Sequence, residues 1–244
     1  MIQLEDITKS FDRPVLRGVR LFIPQGCLYG LIGPGASGKS VLLKIMTGLI
    51  RPDSGRVEID GRDILGMSDL ELQEFRKRIG MLFQNNALFD FMTVSDNIAF
   101  PLRRLYKLPE DEIRARVAER LKCVSLPGFE GRMPAGLSGG QKKRIGVARA
   151  TVAQAPIVFY DEPAAGLDPV TSQKIFNLLR EEQRAAGASV VMVSSDLDRL
   201  LTVTDRVGMM YRGRLIFDGT TEEARACRDP YVHQFVHGEP DGPL

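Results

Sequence analysis

The amino-acid sequence predicts an α/β fold: a parallel sheet with an added antiparallel part and an inserted group of helices. Three observations lead there. Apolar, strand-like runs alternate with helical stretches in the second half of the chain; a short apolar run opens into a glycine-rich loop and then a helix; and two N-terminal segments alternate apolar with polar residues. Strands that alternate with helices pair in parallel, with the helices covering the sheet. Residue-by-residue alternation marks strands half exposed to water.

Residues 2–7 and 56–60 alternate in this way and are read as antiparallel strands. Between them Leu28, Tyr29, Gly30, Leu31 and Ile32 form the apolar run before the glycine-rich loop, and residues 40–49 read as the helix after it. Residues 85–132 are read as a helical insert, because Ile113, Val117, Leu121 and Val124 recur at spacings of four, four and three. Beyond it come a strand at 157–160, a helix at 171–186 closed by Gly187, and a strand at 189–193. Thr220 to Glu223 resembles a capping box. Pro230, Gly238, Pro240, Gly242 and Pro243 mark the C-terminal stretch as a tail.

Composition narrows the function classes. A chain of 244 residues with 43% hydrophobic and 26% charged residues reads as an ordinary globular protein, and a net charge of +2 gives no sign of a nucleic-acid-binding surface. The three cysteines, Cys27, Cys123 and Cys227, are far apart and suggest neither a zinc site nor a disulfide framework. The acidic N-terminus does not look like a secretory signal. The most apolar stretch, residues 41–50, contains Lys44 and falls well short of the roughly 20 residues that cross a bilayer, so a membrane role is expected to be peripheral.

Three motifs carry chemistry. Residues 33–40 match G-x-x-x-x-G-K-[ST] between a predicted strand and a predicted helix. Gly33, Gly35 and Gly38 let the backbone curl so that consecutive N–H groups, those of Ala36 and Ser37 among them, meet phosphate oxygens; Lys39 reaches the β- and γ-phosphates, and Ser40 is a magnesium ligand. A glycine-rich turn with a chance lysine is the bland alternative, and the strand–loop–helix context weighs against it. Asp161 and Glu162 end the 157–160 strand at the sheet edge where ligands of α/β folds bind. Asp161 suits the magnesium-side acid, and Glu162 the group that orients or deprotonates water. Alone, such a pair is as readily a solvated strand end. Leu137, Ser138, Gly139, Gly140 and Gln141 precede a basic helix; a serine N-cap with two bare glycine N–H groups makes a second anion site, or simply a well-capped helix start.

Taken together, in this order, the P-loop, the Leu137–Gln141 signature, the strand ending in Asp161 and Glu162, and the D-loop Gly166, Leu167 and Asp168 resemble the ABC ATPases over nearly the whole chain. The resemblance implies a P-loop NTPase core with a mixed sheet and an antiparallel β part, an ATPase domain over 1–228 with a helical subdomain at about 85–150 inserted in it, and a C-terminal extension over 229–244. It implies ATP and Mg²⁺, with Phe11 stacking on adenine and Val41 completing the ATP-binding loop. It also implies that Gln84 senses the metal and contacts a membrane partner. Without it Phe11 reads as a core residue. In a homodimer the signature of one subunit closes over the phosphates held by the other.

Residues 87–102 and the pattern of Asp229, Pro230, Val232, Gln234, Phe235, Gly238, Asp241, Gly242 and Pro243 are similar to the MlaF-type ATPases of MCE-associated phospholipid transporters. That likeness implies integral membrane permease subunits, an MCE substrate-binding protein, and a place on the cytoplasmic face of the inner membrane. An FtsE-like regulatory ATPase, signalling to a membrane protein without moving cargo, shares every motif. Phe89, Phe91 and Phe100 either fill the core of the insert or line a groove for a permease helix, and Tyr231, Val232, Phe235 and Val236 are expected to dock on the neighbouring subunit. Two departures stand out. Gln141 replaces the methionine frequent in MlaF-type signatures, and Ser195 stands where the family usually has a histidine. A serine hydroxyl is short, expected to span to the γ-phosphate only through water, and slow turnover is expected. The only histidines, His233 and His237, lie in the tail.

Overall fold

A computed structural model describes all residues, Met1–Leu244. The chain opens with two long strands, β1 (Ile2–Ser10) and β2 (Pro14–Ile23), then β3 (Leu28–Ile32) and helix α1 (Lys39–Met46). Strands β4 (Ser54–Ile59) and β5 (Arg62–Asp63), helix α2 (Asp69–Arg76) and strand β6 (Ile79–Leu82) come after them. A helical group is next: α3 (Val94–Leu105), α4 (Glu110–Cys123), a 3-10 turn (Pro134–Gly136) and α5 (Gly139–Thr151). The chain ends with β7 (Ile157–Asp161), α6 (Pro169–Ala186), β8 (Ser189–Val193), α7 (Leu197–Val203), β9 (Arg206–Tyr211), β10 (Arg214–Thr220), α8 (Thr221–Ala226) and α9 (Pro230–His237).

The strands form two sheets. One is antiparallel, in the order β2-β1-β4-β5; the other has six strands in the order β10-β9-β3-β8-β7-β6, parallel from β9 to β6 and antiparallel only at β10. In the large sheet successive side chains serve opposite cores, as the two-residue period of a strand requires. Leu28, Val158, Tyr160, Val190 and Met192 face the core shared with α3 to α9. Tyr29, Leu31, Ile157, Phe159, Val191 and Val193 face a second core, filled by Leu42, Leu43, Ile45 and Met46 of α1 and by Ile2, Leu4, Leu21 and Val57 of the antiparallel sheet. Burial on both faces explains why β3, β7 and β8 read as continuous apolar runs, while β1 and β4, with one wet face, read as alternating.

Within the helical group Asn97 of α3 is fully buried and carries the adjoining loop. Its Nδ2 donates to the carbonyls of Phe89, Met92 and Thr93 at 3.0, 3.1 and 3.0 Å, and its Oδ1 accepts from Phe89 N at 2.8 Å. Both ends of the amide are thus engaged, which a buried amide needs. The loop it pins presents Phe91, 77% exposed, and Phe100 of α3, 37% exposed, on either side of Phe89, with ring centroids 5.8 and 4.8 Å from Phe89. Phe91 and Phe100 are exposed and Phe89 is half-buried, and none of the three belongs to either core, so the core alternative does not hold for them.

The C-terminal extension departs from expectation. Of the residues read as punctuation of a tail, Pro230 and Gly238 bound a helix here, while Pro240, Gly242 and Pro243 follow it outside regular structure. Asp229 Oδ1 accepts from the N–H groups of Tyr231 and Val232, Pro230 sits in the first turn, and Gly238 closes α9 in the left-handed region at φ 66°. A proline at the start and a glycine just past the end are the usual asymmetry of a helix. The amphipathic face then folds back: Val232 is fully buried and Val236 nearly so in the first core, with Phe235 packed against it, and Tyr231 lies against Tyr211. The sequence pattern assigns these side chains to a neighbouring subunit; most of their apolar surface is spent within their own. Val232→Ala is therefore expected to lower the stability of the unpaired chain by about 2 kcal/mol, two methyl groups' worth of burial plus a small cavity. Urea unfolding at concentrations where the chain is monomeric measures this, and an unchanged midpoint would place Val232 outside the core.

Candidate functional site

Four parallel strands side by side, β3-β8-β7-β6, bring their C-terminal ends to one edge of the sheet. Along that edge lie the Gly33–Ser40 loop after β3, Ser194 and Ser195 after β8, Asp161 and Glu162 at the end of β7, and Gln84 after β6. Crevices at such edges are where open α/β sheets bind ligands.

The loop after β3 is shaped by positive backbone angles, φ 135° at Gly33, 57° at Ala36 and 103° at Gly38. At Gly33 a Cβ would stand 2.0 Å from the Met210 carbonyl oxygen of β9, so the loop's close approach to the sheet requires glycine as well as its φ. Ser37 is buried; Lys39 Nζ donates to the carbonyls of Gly33 and Pro34 at 2.7 and 2.8 Å and to Ser37 Oγ at 3.3 Å, folding the ammonium over its own loop. Burial pushes the Lys39 pKa down, while the carboxylates of Glu162 and Asp161 pull against that shift.

Gly35 has open space on its Cβ side, consistent with a backbone face left free for a ligand. A cavity of about 690 Å³ opens beside this loop, lined by Ala36, Ser37, Lys39, Ser40 and Val41 and, on its far wall, by Arg13, Arg17 and Arg212. None of the three arginines pairs with a carboxylate within the chain. Arg212 reaches the cavity because the β9–β10 turn sits hard against β2: Arg17 N donates to Gly213 O at 2.8 Å, and a Cβ at Gly213 would meet Val15 O at 2.4 Å. No motif flags these arginines, since Arg13 and Arg17 belong to the β1–β2 hairpin and Arg212 to the distant β9–β10 turn. Phe11, in the β1–β2 turn, is 57% exposed and does not line the cavity; the core alternative for it does not hold.

Asp161 is 4% exposed, and its only side-chain hydrogen-bond partner is Ser40, whose Oγ donates to Oδ1 at 3.2 Å. Burial pushes its pKa up, opposed by the Ser40 hydroxyl and then by the ammonium groups of Lys44, Lys39 and Lys143. A buried carboxylate beside a hydroxyl, without an ion pair, suits a hard cation that fills its remaining shell with phosphate oxygens and water. No group of three or more His, Cys, Asp or Glu side chains gathers in the chain, so an all-protein metal cage is absent.

Glu162 holds a left-handed φ of 53°, uncommon and costly for a side-chain-bearing residue. Its N–H donates to Val193 O at 2.9 Å, and its Oε2 accepts from both Ser195 N and Ser195 Oγ at 3.0 Å. Ser195 thus bonds the Glu162 carboxylate directly, a contact that its sequence position, considered only for reach to a phosphate, does not suggest. Lys143 of α5, which no motif singles out, is 4% exposed and donates to the carbonyls of Gln84 and Glu162 at 2.8 and 3.0 Å. The Gln84 side chain is exposed and makes no hydrogen bond in the chain.

The signature residues stand apart from this edge. Ser138 caps α5 in a reciprocal box, Oγ accepting from Gln141 N at 3.3 Å while Ser138 N donates to Gln141 Oε1 at 2.9 Å. Leu137 is buried, Gly139 has open space on its Cβ side, and a Cβ at Gly140 would lie 3.3 Å from Leu167 of the D-loop. Asp168 caps α6, accepting from Val170 N and Thr171 N at 3.0 and 2.9 Å, and its pKa is held down by the Thr171 hydroxyl first and then by these N–H groups. No hydrogen bond joins residues 137–141 to the loop at 33–40 in the same chain.

A family model described as ABC transporter matches residues 16–165. The probable ribonucleotide transport ATP-binding protein mkl of Mycobacterium tuberculosis is 41% identical over 244 residues, taking in 100% of this chain and 68% of that protein. The intermembrane phospholipid transport system ATP-binding protein MlaF of Escherichia coli is 36% identical over 245 residues, taking in 100% of this chain and 91% of that one. Among solved structures, a dimeric post-hydrolysis state of the ATP-binding cassette MJ0796 bound to ADP and Pi superposes with a TM-score of 0.86 at 32% identity, covering 91% of this chain and 99% of that one.

Because Gly33 combines a φ open only to glycine with a backbone oxygen in the space of a Cβ, Gly33→Ala is expected to cost about 3 kcal/mol or more. Loss of nucleotide binding should accompany it. Denaturant unfolding together with nucleotide titration reads both, and a variant of unchanged stability would contradict the tight seating of this loop on β9.

Proposed function

The chain belongs to the ABC transporter family of ATP-binding proteins, and from that premise we propose that it hydrolyses ATP, as one half of a homodimer, to drive a membrane permease that moves phospholipid. One observation carries the ATPase reading. Lys39 and Ser40, which open α1 after the loop that follows β3, and Asp161 and Glu162 at the end of β7 converge on one sheet edge, with Ser40 Oγ 3.2 Å from Asp161 Oδ1.

Each residue then has a task. The open backbone of the 33–38 loop cradles the β- and γ-phosphates with its N–H groups, aided by the N-terminus of α1, and Lys39 exchanges its carbonyl partners for phosphate oxygens. Arg13, Arg17 and Arg212 add positive charge on the far wall, and Phe11 offers an exposed ring for the adenine. Ser40 and Asp161, with Gln84, are the ligands for Mg²⁺, which when bound offsets charge on the phosphates. Glu162 orients the attacking water and takes its proton, and Ser195, donating twice to Oε2, fixes the direction of that carboxylate. Serine here serves as a positioning group, without the reach of an imidazole to the γ-phosphate.

The isolated chain leaves its signature turn away from its own P-loop, which supports the dimer. Ser138, Gly139 and Gly140 at the N-terminus of α5, flanked by Leu137 and Gln141, form an anion site that a two-fold axis sets over the partner's phosphates, with Asp168 at the seam. The ATPase domain is 1–228, with 85–150 as its helical subdomain, and the exposed side of the 229–244 extension is left to face a neighbour. Permease contact is assigned to the aromatic surface of Phe89, Phe91 and Phe100, beside a cavity of about 370 Å³ bounded by Met92, Arg103 and Arg104. An apolar groove whose polar rim holds Arg104 and the Arg103–Asp96 ion pair suits a short permease helix. No helix of the chain is long and apolar enough to cross a membrane, so it reaches the inner membrane's cytoplasmic face through that partner. The likeness to MlaF supports phospholipid as cargo and an MCE protein in the complex.

Steady-state ATPase activity of the chain with its co-expressed permease tests the reading. Glu162→Gln should lower kcat by about a hundredfold or more, and Ser195→His should change it only several-fold. A wild type that is inert until Ser195→His is introduced would instead make the chain an ATP-gated clamp of the FtsE-like kind. Phe91→Asp is expected to abolish co-purification with the permease while nucleotide affinity stays within about twofold of wild type, since a charge at the centre of an apolar contact costs far more than one at its rim. Undiminished co-purification would move the docking surface elsewhere.

A further inference from the structure

Lys143 is a buried ammonium without a carboxylate partner. Both its hydrogen bonds go to main-chain carbonyls, Gln84 O at 2.8 Å and Glu162 O at 3.0 Å, and these belong to two different strand ends. Neutral helix surface would be the cheaper occupant of such a position, because a desolvated charge is costly unless its placement is used.

What it touches is informative. Glu162 is held at its N–H by Val193 O of β8, at its carboxylate by Ser195, and at its carbonyl by Lys143 at 3.0 Å and by the Ala165 N–H of the following turn at 3.3 Å. The first two anchors lie on or just after β8 and the Ala165 bond is local, so Lys143 alone ties Glu162 to α5. With φ at 53°, the peptide after Glu162 sits in an uncommon conformation that needs such restraint. The loop after β6 is tied to the same helix. Arg149, further along α5, donates to Ala87 O at 2.8 Å and to Asn86 O, and both Asn86 and Ala87 are themselves left-handed, at φ 60° and 50°. The 84–87 loop therefore rides on α5, whose first turn is the signature.

We propose that Lys143 is a positioning residue that makes the placement of the Glu162 carboxylate depend on how α5 and the 84–87 loop are seated against the sheet. This rests on the reading of Glu162 as the water-orienting group. A shift of α5 against β7, as its first turn engages phosphates across a dimer or its helical neighbours engage a permease, lengthens one or both bonds from Nζ. The carbonyl of Glu162 is then left to the longer bond from the Ala165 N–H of its own turn, and the side chain loses its aim at the water. Hydrolysis thereby waits on a seated helix.

The test uses the chain assembled with its permease and compares wild type, Lys143→Met, Lys143→Gln, Lys143→Arg and Glu162→Gln by kcat and KM for ATP, with a thermal melt of each. Lys143→Met, which keeps the stem and removes the donors, should lower kcat by about tenfold or more with KM within about twofold, because small misplacements of a catalytic group cost rate rather than binding. Lys143→Arg, with donors for both carbonyls, should recover most of the loss. Should the methionine variant not fold, Lys143→Gln keeps an amide donor in the site and is expected to lose kcat by about three- to tenfold. The proposal is overturned if a folded methionine or glutamine variant keeps kcat within about twofold of wild type while Glu162→Gln is inactive, or if the loss is in KM alone. Full activity of Glu162→Gln would overturn the water-orienting reading itself, and the positioning role with it.

Discussion

The main-chain ladder that joins β3, β8, β7 and β6 in parallel is the constraint from which the other features of the molecule derive. Parallel pairing sends every strand's C-terminal end to the same edge, so Gly33, Asp161, Glu162 and Ser195 become neighbours without any side chain having to bring them there. Because parallel strands require helical crossovers, both faces of the sheet are covered, and the edge is the part of it left free for chemistry. Met210 of β9 extends the same ladder and sets the seat of Gly33.

At that edge, charge is distributed between groups that are fully paired and groups left partly open. Glu162 has both polar groups of its backbone engaged and two donors on one carboxylate oxygen. Asp161 has one hydroxyl, and Lys39 has only groups of its own loop. The rigid member is the one assigned to aim a water, and the open members are those assigned to a cation and to phosphates. This division follows the general rule that preorganised groups act on developing charge while unsatisfied ones wait for a ligand.

The helical group stands in contrast to the sheet. Its apolar surface at Phe89, Phe91 and Phe100 is held outward by Asn97, a buried amide whose four hydrogen bonds leave the loop no inward alternative, while Lys143 and Arg149 of α5 bind the main chain of the 84–87 loop. The polar contacts between helical group and sheet edge at this point are thus main-chain directed, and they stand beside the apolar packing of Ile145 and Ala148 of α5 with Leu82 of β6.

The class of the fold, and the loop, carboxylates and capped glycines of the candidate site, were legible in the sequence because each is written locally. A glycine-rich loop between strand and helix, two carboxylates ending an apolar strand, and a serine-capped glycine pair are arrangements whose meaning lies within a few residues, so the runs at 28–32 and 189–193 and the P-loop stand out at once. Helix α9 is misjudged by the same local reading, since proline and glycine at helix ends look like breakers until the apolar face between them finds a core. Which distant residues meet is settled by the folded chain alone. Arg13, Arg17 and Arg212 reach one cavity because a turn presses on β2, and Ser195 meets Glu162 because β8 lies beside β7. Lys143 meets two carbonyls because α5 crosses two strand ends. Such contacts depend on strand order and helix seating, which are set by burial over the whole chain and leave no mark in the spacing of neighbouring residues.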